Sequence, residues 1–176
     1  MVRRLPIGHA GTRSLMPDAS FDEFIGSLKS PVFIATTRRD DERAGCLVGF
    51  ATQASIGPRR FLACLSVQNH TYRTALDADF LAVHLVPRAA IALARLFGGE
   101  TSDDTNKFSR CEWQEGPHGV PILADCPNWL VGRIRERLDL GDHCGFLLDP
   151  EEVQFTGEAD ALTADRAGNI EAGHDP

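Results

Sequence analysis

The sequence predicts a mostly β protein with short helices, its antiparallel sheet closed into a barrel. Three observations carry that expectation. Short apolar runs, each bounded by Gly, Pro or charged residues, recur along the chain. Nothing repeats the strand–helix–strand order that a parallel sheet needs. And residues 128–148 read as two strands joined by the tight turn Asp139-Leu140-Gly141. Six or seven strands are expected in all.

The elements follow in order. Residues 1–18 mix Arg, Gly, Pro and His without periodicity and read as a flexible lead-in. Ser20-Phe21-Asp22-Glu23 has the capping-box form, so Ser20 should cap a short helix with Phe21, Phe24, Ile25 and Leu28 on one face. Pro31 stops that helix, and Pro31 to Thr37 reads as a buried strand closed by the charged turn Arg38 to Arg43. One long strand is expected from about Ala44 to Ser55. Its Gly49 and Ala51 clear side-chain bulk from one face, so a flat ligand or another backbone could approach there. Gly57-Pro58 turns the chain into a strand from Phe61 to Ser66.

A short helix from Tyr72 to Ala78 and a strand from Phe80 to Val86 come next. Pro87 opens another helix, ended by Gly98-Gly99, with Ala90, Ile91, Ala94 and Phe97 facing inward. A polar loop covers Glu100 to Asn106, and Trp113 to Pro121 is rich in turn residues. In the strand Asn128 to Leu138, Leu130, Ile134 and Leu138 oppose Arg133, Arg135 and Arg137. The run Asp142 to Leu148 returns beside it, and Val153 to Phe155 is expected as an edge strand. The domain proper is therefore placed at 19–156, with a polar tail over 157–176.

Composition narrows the function. The 176 residues suit one domain, and 43% hydrophobic with 24% charged side chains is globular composition. A net charge of −7 offers no basic face to nucleic acid or an anionic membrane, though a local phosphate pocket is compatible with it. No apolar run approaches the ~20 residues of a membrane span. Residues 1–16 lack the continuous apolar stretch of a secretory signal. The cysteines (Cys46, Cys64, Cys111, Cys126 and Cys144) are odd in number and widely spaced, which fits neither a disulfide framework nor a zinc site. The expectation is a cytoplasmic protein without a bound metal.

The segment with the most chemistry is Asn69-His70-Thr71-Tyr72-Arg73. There a strand ends and a helix opens, which gives free N–H groups and the positive end of the helix dipole. Asn69 and Thr71 could donate to phosphate oxygens and Arg73 could add charge. The plainer reading is that Asn69 or Thr71 simply caps the helix. His143, just after a tight turn, could meet a ligand ring or amide, or be a half-exposed hairpin residue. His84, inside an apolar run, suits a hydrogen-bonded core role, and Lys107 suits a solvated one. Gly-x-Gly-x-x-Gly, P-loop, His-Glu-x-x-His and Gly-x-Ser-x-Gly motifs are absent, so a nucleotide would bind without a Rossmann unit.

In order along the chain, Pro31 to Thr37, Ala44-Gly45-Cys46, Ala54-Ser55 with Gly57-Pro58, and Phe61 to Leu65 with Asn69 and Thr71 resemble a known family. Phe80 to Leu85, Leu93 to Phe97, Lys107-Phe108, Gly119 to Leu123 and Gly141-Asp142-His143 complete the likeness. The family is the flavin reductase-like domain, the FMN-binding split barrel that supplies reduced flavin to two-component monooxygenases. The resemblance implies an antiparallel split β-barrel that binds FMN, with FAD as the alternative, and takes a hydride from NADH or NADPH. It implies that Gly49, Phe50 and Ala51 lie along the isoalloxazine ring, with Val48 and Ser55 as flanking cofactor-binding positions. Asn69, His70, Thr71 and Arg73 would take the phosphate end. His143 would be the catalytic position, near the nicotinamide. A homodimer with flavin near the subunit interface, and a flavin-dependent monooxygenase as partner, are further implications. The chain departs from the pattern at Leu47-Val48-Gly49-Phe50, where relatives commonly carry Thr-Val-Ser-Ser, at Arg59 in place of a second Pro, and at His84 in place of an Asn. The expected function is an NAD(P)H-dependent flavin reductase. The alternatives are an oxidoreductase with tightly held FMN acting on another small molecule, and a non-catalytic flavin- or haem-binding protein.

Overall fold

The computed structural model describes residues 18–99, 106–157 and 160–167. The polar loop expected at 100–106 lies outside them except for Asn106. A first helix, α1 (Asp18–Ser27), already contains Ser20 in its first turn, so that residue is not its cap. The apolar side chains of α1 also lack the expected core contact: Phe21, Phe24 and Ile25 are exposed, as is Leu28 just beyond the helix.

Strands β1 (Phe33–Arg39) and β2 (Glu42–Val48) form a hairpin in which Phe33 pairs with Val48 and Arg39 with Glu42. The turn is only Asp40-Asp41, shorter than the charge pattern suggests, and Asp40 takes a φ of 50°. The long strand expected from Ala44 to Ser55 is two strands. β2 ends at Val48, and β3 (Ala51–Ser55) starts after a bend at Gly49-Phe50. Alternation of side chains is blind to such a break, because Gly49 disrupts the ladder without disturbing the pattern on either side.

β4 (Arg60–Ser66) pairs with β3, then α2 (His70–Leu76) leads to β5 (Phe80–Leu85). A 3-10 turn over Arg88–Ala90 precedes α3 (Ile91–Gly99), whose buried residues include Leu93 and Leu96 as well as Ala94 and Phe97. A small hairpin, β6 (Trp113–Glu115) and β7 (Pro121–Leu123), stands apart from the main sheet. β8 (Trp129–Asp139) and β9 (His143–Gln154) form the longest hairpin. Val153 belongs to β9 rather than to a separate edge strand, because Leu130 of β8 pairs with it.

The main sheet is antiparallel, with strand order β2-β1-β5-β8-β9-β4-β3. Its two edges, β2 and β3, are consecutive in the chain. The Gly49-Phe50 link therefore carries the backbone from one edge to the other, and the sheet wraps round without a hydrogen-bonded seam.

Ala35, Cys46, Val48, Leu65, Val83, Phe146 and Leu148 belong to the core on one side of this sheet. On the other side Ile34, Val86, Leu93, Phe97, Leu123 and Leu162 pack together. His84 ties that second core to the backbone: its Nδ1 lies 3.0 Å from Ile34 O, and Leu123 N donates to its Nε2 at 3.2 Å. The stretch 160–167 returns to the sheet. Val32 N donates to Leu162 O at 2.9 Å and Leu162 N donates to Val86 O at 2.8 Å, before the short α4 (Ala164–Ala167). Among the described residues no helix is long and apolar enough to cross a membrane.

Candidate functional site

The site grows out of the β4–α2 turn. Asn69 N donates to Ser66 O at 3.0 Å, which folds the chain back at the end of β4. Asn69 then stands at the N-cap position with extended backbone (φ −71°, ψ 137°), yet its side chain does not cap α2. Thr71 does not cap it either. It lies inside the first turn, 1% exposed, and its hydroxyl has no hydrogen-bond partner of bonding geometry. Buried hydroxyls are nearly always satisfied, so this one needs an explanation.

Beside it lies the Cys46 thiol of β2. Burial pushes that thiol up to about 11, with the Thr71 hydroxyl and the Lys107 charge pulling the other way. The remaining turn residues are tied to neighbours: His70 Nε2 lies 2.7 Å from Glu42 Oε1, and Arg73 Nη1 donates to Gln68 O at 3.4 Å.

The second contributor is the β2–β3 bend. Val48 is part of the core, so only its backbone can face a ligand. At Gly49 the place a Cβ would take is open space. Phe50 projects from the bend, 57% exposed, while Cys64 N donates to its carbonyl at 2.9 Å. Ala51 pairs with Ala63.

The third is the β8–β9 hairpin. Gly141 supplies the positive φ (103°) of the turn, and its N–H donates to Asp139 Oδ1 at 3.0 Å. Val67 N donates to Asp142 O at 3.0 Å, which joins the hairpin to the β4–α2 turn. His143 pairs with Ser66, and its Nδ1 lies 3.0 Å from Asp142 Oδ1. That hydrogen bond is the main reason the Asp142 carboxyl sits below the usual carboxylate range. The His143 ring meets the Phe50 ring at 5.0 Å between centroids.

Three segments distant in sequence thus meet at one place: the bend with Gly49 and Phe50, the turn with Asn69 and Thr71, and the hairpin with His143. Ser55 is not brought in. It pairs with Arg60 at the opposite end of the β3–β4 hairpin, about 13 Å along the strand from Ala51.

Two contributors escape a reading of the sequence. Lys107, expected in solvent, is 4% exposed; its Nζ donates to Gly45 O at 3.4 Å and to Phe97 O at 3.2 Å, and lies 5.6 Å from the Phe97 ring centroid. Arg137, one of an alternating arginine stripe, donates through Nη2 to Ala78 O at 2.7 Å and Ala75 O at 3.2 Å. It places a positive charge at the C-terminal end of α2, where the helix dipole favours one. Neither contact has a local sequence signal beyond the presence of a basic residue. A separate cleft of about 360 Å³, lined in part by Arg39, Asp77, Phe80 and His118, holds none of the expected site residues.

Chemically, the arrangement can bind and orient. It offers an unsatisfied hydroxyl, the N–H groups of a helix start, an exposed aromatic ring and an imidazole. Thiolate chemistry is disfavoured, because burial raises all five thiols, Cys126 to about 12.

Comparisons with known proteins agree with one another. A family model described as "Flavin reductase like domain" matches residues 25–169. The chain is 30% identical over 144 residues to a protein of Methylorubrum extorquens named FMN reductase (NADH) RutF, covering 82% of this chain and 70% of that protein. Among solved structures, a flavin reductase domain protein from Arthrobacter superposes with a TM-score of 0.72 at 22% identity, covering 83% of this chain and 93% of the other. The NADH:FAD oxidoreductase SgcE6 of Streptomyces globisporus also reaches 0.72, at 20% identity, covering 82% and 86% of the two chains.

Proposed function

The chain belongs to the flavin reductase-like domain family, and from that premise we propose that it is an NADH-dependent reductase of FMN. Bound flavin supplies the hydride-accepting N5 and the nicotinamide supplies the hydride, so the protein's task is to hold both rings. That division of labour suits a site that can orient ligands and has no buried acid–base pair among the described residues.

The residues present fit a flavin mononucleotide. The single observation that carries the reading is the Thr71 hydroxyl, buried at the start of α2 beside the Cys46 thiol and without a hydrogen bond of good geometry. A phosphate oxygen would satisfy it, together with the helix-start amides that have no intrahelical acceptor. Asn69, whose side chain leaves the capping role unfilled, is the second candidate donor. The open bend at Gly49 lets a planar ring approach the backbone of Gly49, Phe50 and Ala51. His143, held by Asp142, would lie on the nicotinamide side.

FMN and NADH are preferred over FAD and NADPH because curated relatives carry both in their names. Reduced flavin would pass to a flavin-dependent monooxygenase. The exposed apolar face of α1 supports a homodimer, and five unpaired cysteines support a reducing compartment, the cytoplasm.

The test is a titration of FMN by quenching of its fluorescence, with the wild type beside Thr71→Val. Loss of one charge-assisted hydrogen bond should weaken binding by about 1–2 kcal/mol. An equal dissociation constant for the two proteins would remove Thr71 from the phosphate site.

A further inference from the structure

Two side-chain pairs tie the β1–β2 hairpin to α2, one at each end of the helix. At the far end Arg39 Nη1 lies 2.6 Å from Oδ2 of Asp77, the residue that follows α2. At the near end Glu42, the first residue of β2, places its Oε1 2.7 Å from Nε2 of His70, the first residue of α2. The His70 imidazole is braced by Thr74, whose Oγ1 lies 3.5 Å from the same nitrogen and donates to His70 O at 3.3 Å. The Glu42 side chain is half-exposed, while His70 is seated more deeply.

The next residue along the chain is Thr71, whose buried hydroxyl is the proposed donor to the flavin phosphate. A phosphate monoester carries a charge of about −1.5 to −2 at neutral pH, and hydrogen bonds from cationic or polarised donors hold it best. The two basic side chains of this turn are both engaged elsewhere. Arg73 Nη1 donates to Gln68 O at 3.4 Å, and His70 Nε2 is held by the Glu42 carboxylate. A site built for permanent retention of a flavin would turn that imidazole to the phosphate. Here a carboxylate holds it back.

We propose that Glu42 is a positioning residue that sets how tightly the flavin phosphate is held: by engaging His70 it keeps the imidazole from the phosphate, and so leaves FMN free to exchange. The inference rests on the phosphate role given to Thr71 above. It suits a reductase that has to release its product, because reduced flavin leaves with the same phosphate that FMN brings in.

Fluorescence-quenching titrations of FMN and of riboflavin, which lacks the phosphate, test this with wild type, Glu42→Ala, His70→Ala and the double variant. Glu42 is half-exposed on an edge strand, so its replacement should fold, and circular dichroism checks that it does. Glu42→Ala should tighten FMN binding about threefold to tenfold, the worth of one added hydrogen bond, and leave riboflavin within about twofold. Adding Glu42→Ala to His70→Ala should bring no such gain. An unchanged or weakened FMN affinity in Glu42→Ala overturns the proposal. So does an equal tightening of riboflavin, which would place the effect away from the phosphate, or a gain that survives in the double variant, in which the imidazole plays no part. A wild type that binds FMN and riboflavin equally would defeat the phosphate role of Thr71 and the proposal with it, a failure read before any variant is compared.

Discussion

Thr71 and His84 are both buried polar side chains, and they differ in whether the surrounding backbone satisfies them. His84 is satisfied at both ring nitrogens, by Ile34 O and Leu123 N. Burial lowers its pKa from 6.5 to about 4, against the opposing pull of the Ile34 hydrogen bond. The unfolded chain therefore binds a proton at a pH where the native state does not. Its contribution is whole above pH 6.5 and is lost as the pH falls toward 4, by an amount on the order of 3 kcal/mol. Denaturant unfolding across that range should show stability falling on acidification, with a flatter profile in His84→Asn. A profile identical in the two proteins would place the acid sensitivity elsewhere.

Thr71 is the opposite case. Because its hydroxyl is unsatisfied without a ligand, Thr71→Val should leave the ligand-free protein as stable as the wild type, or more so, while weakening FMN. A stability loss in the absence of flavin would mean the hydroxyl has a structural partner. His84 was legible in the sequence, since a histidine inside the apolar run Phe80 to Val86 has to be buried. Lys107 was not: the carbonyl of Gly45 that it reaches lies 62 positions away.

At the scale of elements, the bend at Gly49-Phe50 and the close packing of β2 on α3 decide the shape of the site. A Cβ at Gly45 would lie 2.6 Å from Phe97 Cε1, and Phe97 is itself wedged against Phe108. Gly45→Ala should therefore destabilise the fold by about 1–3 kcal/mol, the usual cost of overpacking. Chemical denaturation reads this directly, and an unchanged midpoint would mean that Phe97 can move aside. Most strands were readable from the sequence because apolar runs between turn signals are local. The break between β2 and β3 was not, because both halves keep a plausible alternation. Nor was the bare face of α1 readable: periodicity shows that a helix has an apolar side, but what covers it is a matter of tertiary structure.

At the scale of the whole molecule, the strand order explains how a scattered motif set becomes one site. The chain leaves one sheet edge at Val48 and joins the other at Ala51. The β8–β9 hairpin then brings His143 beside Ser66 and, through Phe50, to that same crossing. The order and spacing of the short motifs were enough to expect this family. They could not show that Ser55 sits at the far end of its hairpin, because position along a strand becomes distance only once the bend is placed. The central claim is that the assembled site serves hydride transfer from NADH to FMN. Oxidation of NADH by the purified protein, followed with and without added FMN, tests it most directly. The account predicts FMN-dependent loss of NADH that saturates in both substrates; no NADH loss at any FMN concentration, from a protein that nonetheless binds FMN, would contradict it.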